Sequence, residues 1–204
     1  MKLFGCDRTR SDRVRWMLEE VGAAYEYEPV DLLKGAGRSP AYRAINPAGK
    51  VPAFEIDGHY LTESAAICRL LVDRFPAAGL IPLPGTRERA QCEQWCDFAI
   101  SELEQPLWLI SKHRFALPEA LRIAAVLPTA EWEFGQAAAL LSRALDGRPF
   151  MLGEQFSVAD ILLCHTLAWA RKYKLPLGAG NLDGYLERAL ARPAWQRVRA
   201  LWAS

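Results

Sequence analysis

The sequence predicts an α/β N-terminal domain followed by an all-α C-terminal helical domain. Three observations carry that reading. Up to Phe75 the apolar residues switch between alternate spacing and helical spacing in the order βαβ, αββα. A stretch rich in Pro and Gly, from Pro76 to Gly85, then breaks all periodicity. Beyond it, every strongly patterned segment has helical spacing. The expected boundaries are 1–76 for the first domain, 77–86 for the linker and 87–204 for the helical domain.

Lys2 to Gly5 reads as the first strand. The polar loop Cys6-Asp7-Arg8-Thr9-Arg10 leads to Ser11, a good N-cap for a helix that carries Val14, Met17, Leu18 and Val21 and stops at Gly22. Tyr25 to Val30 alternates as a second strand, and a short helical piece follows at about Pro40 to Ala44. Asn46-Pro47-Ala48-Gly49 is a turn, because Pro fixes φ and Gly accepts conformations closed to other residues. Val51-Pro52 opens an apolar run. Phe54 and Ile56 alternate with Glu55 and Asp57, Gly58 turns the chain, and Tyr60-Leu61 returns as a further strand. Thr62-Glu63-Ser64 starts a helix with Ile67, Leu70 and Leu71 on one face. A parallel βαβ unit followed by a hairpin implies a mixed four-stranded sheet with helices on both faces.

In the second half, Thr86 caps a long helix through Trp95, Phe98, Leu103 and Trp108 towards His113, which Pro106 should kink or divide. Pro118 or Glu119 is expected to open another helical segment to Leu127, and a helix from about Pro128 ends near Leu145 before Asp146-Gly147. Ser157 and Asp160 stand at the spacing of a capping box, flanked by Phe156 and Ile161 as a hydrophobic staple. The helix behind them, to Arg171, is apolar on most sides and therefore central to the helical core. Arg192-Pro193-Ala194-Trp195 starts the last helix.

Composition narrows the function classes. Hydrophobic residues make up 51% and charged residues 24% of the 204 residues, an ordinary globular balance. A formal net charge of +1 gives no electrostatic reason to expect nucleic acid or an anionic membrane as partner. No apolar run approaches the ~18 residues that span a bilayer, and the N-terminus has no apolar leader pattern, so the expected location is cytoplasmic. The five cysteines are scattered and odd in number, which argues against a disulfide framework. Cys92 and Cys96 share a helix face but have no histidine at metal-ligand spacing, so no metal is expected.

The ordered set N-P-x-G-K-V-P-A-F, a hairpin, then E-S-x-A-I, from Asn46 to Ile67, resembles the ligand half of the thioredoxin-like domain of a cytosolic glutathione transferase. The Ser157–Asp160 box and the Arg192-Pro193 helix start fit the same family, so the likeness spans essentially the whole chain. It points to a bacterial, serine- or cysteine-type or unclassified member. The loop after strand one contains no tyrosine, which argues against the tyrosine-type classes.

The resemblance implies roles. Val51, before a cis Pro52, would pair through its backbone with the cysteinyl part of glutathione; Glu63 and Ser64 would hold the γ-glutamyl end; Lys50 would meet the glycyl carboxylate. The amide-rich start of a helix suits a carboxylate, and an acidic side chain there suits an ammonium. Glutathione attacks as a thiolate, so a transferase must stabilise that anion. A gap-free match anchored on Arg13-Val14 puts Arg8 where serine-type classes carry their hydroxyl, and a shift of one residue puts Thr9 there. Thr9 is the first choice and Arg8 the second; Cys6, as a mixed-disulfide residue, and Ser11, better read as an N-cap, complete the candidates. An electrophile pocket is expected near Trp108, Leu109 and His113. The function that follows is a detoxifying transferase in which glutathione, as co-substrate, attacks a small apolar electrophile or reduces a peroxide or disulfide. A homodimer is expected from the family. A non-enzymatic binding or regulatory member is the alternative reading, and a zeta-type cis-trans isomerase, suggested by Arg13-Val14-Arg15, is the third.

Overall fold

The computed structural model describes residues 1–178 and 180–203. Its elements are, in order, β1 (Lys2–Gly5), α1 (Ser11–Val21), β2 (Glu26–Pro29), α2 (Pro40–Ile45), β3 (Ala53–Ile56), β4 (His59–Thr62), α3 (Ser64–Arg74), α4 (Arg87–Phe98), α5 (Gln105–Ser111), α6 (Leu127–Leu145), α7 (Val158–Lys172), α8 (Asn181–Leu190) and α9 (Pro193–Ala200). The chain divides into two compact units. One comprises Met1–Leu80 together with the chain from Ala191 onward; the other is Ile81–Leu190.

In the first unit the sheet order is β2-β1-β3-β4, with β1 and β2 parallel and the other pairs antiparallel, the mixed four-stranded sheet that the pattern predicts. The β3–β4 hairpin turns on Asp57 and Gly58, both with positive φ, the two-residue turn whose twist matches the flanking strands. Leu3, Phe54, Val14, Met17, Leu18, Ile67 and Leu71 form the fully buried interior, so the alternate face of the central strands meets the helical stripes of α1 and α3.

The last helix corrects an expectation. The sequence puts it at the end of the helical domain; α9 packs against α1 in the first unit. The Trp16 and Trp195 rings lie 4.7 Å apart, Arg192 forks onto Glu20 at 2.6 and 2.7 Å, and Arg197 reaches Glu19 at 2.5 Å. An apolar indole face on α1 with acidic residues behind it needed a partner that local patterning could not name.

In the second unit, the predicted long helix runs past Pro106 with unbroken helical backbone to Ala116. The run from Arg87 widens into π-type turns over Ala99–Glu104, just ahead of Pro106 at the second position of α5. The wider turn accommodates a ring that supplies no N–H and collides with the carbonyl four residues back. Residues 119–127 do not form the expected helix. They make two short 3₁₀ turns, Glu119–Leu121 and Ala124–Val126, and almost every residue is exposed, so there is no apolar face whose burial would stabilise a helix. α8 has no counterpart in the pattern reading. At the start of α7 the capping box is complete, and the Asp160 carboxylate accepts from Ser157 N–H at 2.8 Å, Met151 N–H at 2.7 Å and Tyr185 O–H at 2.7 Å.

Candidate functional site

Sheet register assembles the candidate residues of the first unit. Phe4 pairs with Ala53, and Ala53 pairs with Thr62. The residues after β1, those before β3 and those after β4 therefore emerge at one end of the sheet. Cys6, Val51-Pro52 and Glu63-Ser64 are those residues. Three stretches distant in sequence become neighbours because β3 runs antiparallel to both β1 and β4.

The turn before β3 is held rigidly. Asn46 accepts the Ala48 N–H on its side chain and the Gly49 N–H on its carbonyl, while its amide donates to the Lys50 carbonyl at 2.6 Å. Tyr42 donates to the same Lys50 oxygen at 2.7 Å. Gly49 has φ +64°, and a Cβ there would stand 2.5 Å from the Gly37 carbonyl oxygen, so only glycine fits. The Val51–Pro52 peptide is cis. Among the described residues, no backbone hydrogen bond involves Val51, which leaves its N–H and C=O for another partner.

The start of α3 places Glu63 and Ser64 differently. Glu63 is the flanking residue, with φ +66° and an exposed side chain, and Ser64 is the first helical residue. Ser64 is buried, and its hydroxyl lies 3.4 Å from the guanidinium of Arg13, itself fully buried on α1. A fixed cation beneath the mouth of α3 adds to the positive end of the helix.

The β1–α1 loop is a tight hydrogen-bonded knot. Ser11 is not the N-cap: it is the first residue of α1, with Arg10 before it, and its hydroxyl accepts the Cys6 N–H at 3.2 Å. The Thr9 hydroxyl donates to the Cys6 carbonyl at 2.6 Å and lies 3.1 Å from the Ser11 hydroxyl. Arg8 is exposed, has φ +61°, and sends its backbone N–H to the Asp12 carboxylate at 2.8 Å. Its guanidinium makes no hydrogen bond among the described residues and lies over the Trp202 ring, 5.6 Å from the centroid. Burial pushes the Cys6 thiol above its ordinary range, which disfavours a thiolate on Cys6 itself. Arg15 braces the loop from behind, pairing with Asp7 at 2.6 Å and stacking on Tyr27 at 3.6 Å.

Sequence reasoning missed the supports: Tyr42, Arg13, Asp12 and Trp202. Of these, only Asp12 left a local signal, as an acidic residue in a first helical turn.

Trp108, Leu109 and His113 lie in the second unit, all half-buried. The first two are on α5, and His113 accepts the Ile123 N–H at 3.0 Å on its Nδ1. Elsewhere in the first unit, a cleft of about 500 Å³ lies at the C-terminal ends of α1 and α3, between Glu20, Gly22, Arg74 and Phe75. Its carboxylates are engaged by Arg192, just before α9, and by Arg197 on it. Among the described residues, no group of three or more His, Cys, Asp or Glu is arranged to hold a metal, and no helix is long and apolar enough to cross a membrane.

The family model described as glutathione S-transferase, N-terminal domain, matches residues 1–73, and the one described as glutathione S-transferase, C-terminal domain, matches residues 112–193. The chain is similar to glutathione S-transferase GstA of Escherichia coli O157:H7, at 30% identity over 96% of both chains. It is similar also to maleylacetoacetate isomerase of Rhizobium meliloti, at 32% identity over 92% of this chain and 90% of that one. A solved sphingomonad glutathione S-transferase complexed with glutathione superposes with a TM-score of 0.84 at 32% identity, covering 97% of this chain and 96% of the other.

Proposed function

The chain belongs to the glutathione S-transferase family, and we propose that it acts as a glutathione transferase whose tripeptide site lies where β1, β3 and β4 end together. The observation that carries this reading is that convergence: the unpaired backbone of Val51, the buried Ser64 at the mouth of α3 and the polar loop after β1 meet at one sheet end. Val51 N–H and C=O match the two backbone groups of a cysteinyl residue in an extended chain. Ser64 and the first amides of α3 receive the γ-glutamyl carboxylate, Glu63 its ammonium, and Lys50 the glycyl carboxylate.

Arg8 takes first place over Thr9 as the group that stabilises the thiolate. A hydroxyl has one hydrogen, and that of Thr9 is directed to the Cys6 carbonyl, whereas the Arg8 guanidinium keeps all its donors. The thiol proton leaves to solvent, the thiolate forms a C–S bond at an electrophilic carbon, and the leaving group departs with the electron pair. The protein works as a cytoplasmic homodimer without a metal; the absence of a disulfide among the described residues supports a reducing location, and the family supports the dimer.

The test combines calorimetry of glutathione binding with turnover of a model aryl halide and a hydroperoxide. Binding that survives Thr9→Ala, together with turnover that Arg8→Ala lowers by about tenfold or more, supports the reading. Binding without turnover of either substrate turns it into a binding protein. A second reading, glutathione-dependent cis-trans isomerisation of a small diketo acid, is favoured by the likeness to the Rhizobium isomerase. Assaying a cis-enone dicarboxylate in parallel separates the two.

A further inference from the structure

The loop after β1 is fastened by the last residues of the chain. Asp12, in the first turn of α1, is 1% exposed. Its Oδ2 accepts the Arg8 N–H at 2.8 Å, and its Oδ1 accepts the indole N–H of Trp202 at 3.3 Å. The ring of that same Trp202 carries the Arg8 guanidinium. Arg8 thus has its backbone amide on a carboxylate that Trp202 holds, and its side chain on the face of Trp202. It needs such fastening, since at φ +61° a non-glycine residue is strained relative to ordinary backbone. Trp202 is itself fixed: its ring meets Trp195 edge-on at 5.6 Å, and Trp195 packs on Trp16. Three indoles run from the middle of α1 to the loop, and the bidentate Arg192–Glu20 pair anchors the start of α9 at the other end of α1.

We propose that Trp202 is a positioning residue for the β1–α1 loop, setting the Arg8 conformation through Asp12 and through its own ring. The proposal rests on the reading of that loop as the place where the thiol is activated. A bond from an indole N–H to a buried carboxylate orients both oxygens, so Oδ2 stays aimed at the Arg8 amide. Without it the carboxylate can rotate, the left-handed residue relaxes, and the guanidinium loses its platform. Tripeptide binding at Val51 and Ser64 makes none of these contacts. Its affinity should stay while catalysis drops.

The experiment uses the full chain in four forms: native, Trp202→Phe, Asp12→Asn and the double variant. Trp202→Phe keeps an aromatic ring against Trp195 and Arg8 but removes the donor. Three quantities are read: amide hydrogen exchange of the segment from Cys6 to Asp12, glutathione affinity by calorimetry, and kcat with an aryl halide at saturating glutathione. In Trp202→Phe the segment should exchange at least about fivefold faster, kcat should fall about three- to tenfold, and affinity should stay within about twofold. The double variant should be no worse than Asp12→Asn alone, because the two residues act as one unit. Native exchange and native kcat in Trp202→Phe would overturn the proposal, as would independent, multiplying losses in the double variant. Should Asp12→Asn fail to fold, Trp202→Ala replaces it, and a kcat loss larger than that of Trp202→Phe is then required. If the native protein binds no glutathione, the functional reading fails by itself and the exchange data alone decide on Trp202.

Discussion

The phenol of Tyr42 and the amide of Asn46 grip one and the same atom, the carbonyl oxygen of Lys50, at 2.7 and 2.6 Å. That carbonyl belongs to the peptide immediately before Val51, so the backbone proposed to face the tripeptide is aimed by two side chains that never touch it. Tyr42→Phe removes one donor and leaves the other. It should cost about 1 kcal/mol of stability, read from the denaturant midpoint, and weaken glutathione binding about three- to fivefold, read by calorimetry.

Ser64→Ala removes the hydroxyl at the first position of α3 that meets buried Arg13. The fold keeps its core, so the thermal midpoint should move little. Glutathione affinity should fall about tenfold or more, because a charge-assisted bond to the γ-glutamyl carboxylate disappears. Unchanged affinity would remove Ser64 from the site.

Asp12 sets a pH dependence. Burial raises its pKa from an ordinary 3.8 to about 7, against the opposing pull of Trp202, the Arg8 amide and Arg15. Below pH 4 the carboxyl is protonated folded or unfolded and contributes no difference. Between about 4 and about 7 the folded form holds the proton and the unfolded form has lost it, so each rise in pH in that window lowers stability. Above about 7 the loss is complete. Asp12→Asn should flatten the profile of unfolding midpoint against pH across that window.

Asp160, with no exposure, accepts from the backbone of Ser157 and Met151 and from the hydroxyls of Ser157 and Tyr185. Asp160→Ala leaves those donors buried and unsatisfied and should cost about 3 kcal/mol or more. Scanning calorimetry should show a large drop in thermal midpoint, with glutathione affinity per folded molecule retained.

The mixed four-stranded sheet was legible from the order of the elements, and the hairpin at Gly58 and the Ser157–Asp160 box because each depends on residues a few positions apart. Val51, Glu63 and Ser64 were legible through the family pattern, and strand register then brings them together. The supports were not. Arg13, Tyr42 and Trp202 act across 51, 8 and 190 positions, and nothing local distinguishes a buried arginine that meets a serine from one on a solvated face. The expected helix over 119–127 failed for the converse reason: its residues favour helix locally but have nothing to pack on. Ser11, expected as a cap, lies one position inside its helix, with Arg10 at the flanking position.

The unit that begins with Met1 is finished only by the chain from Ala191 onward, since Trp16 obtains its indole neighbour from α9. During synthesis the ribosome makes more than a hundred intervening residues before the matching piece exists, on the order of ten seconds at ordinary elongation speed. A nascent chain therefore lacks the indole partner of Trp16 until α9 has emerged, and a fragment of the first eighty residues would lack that partner altogether.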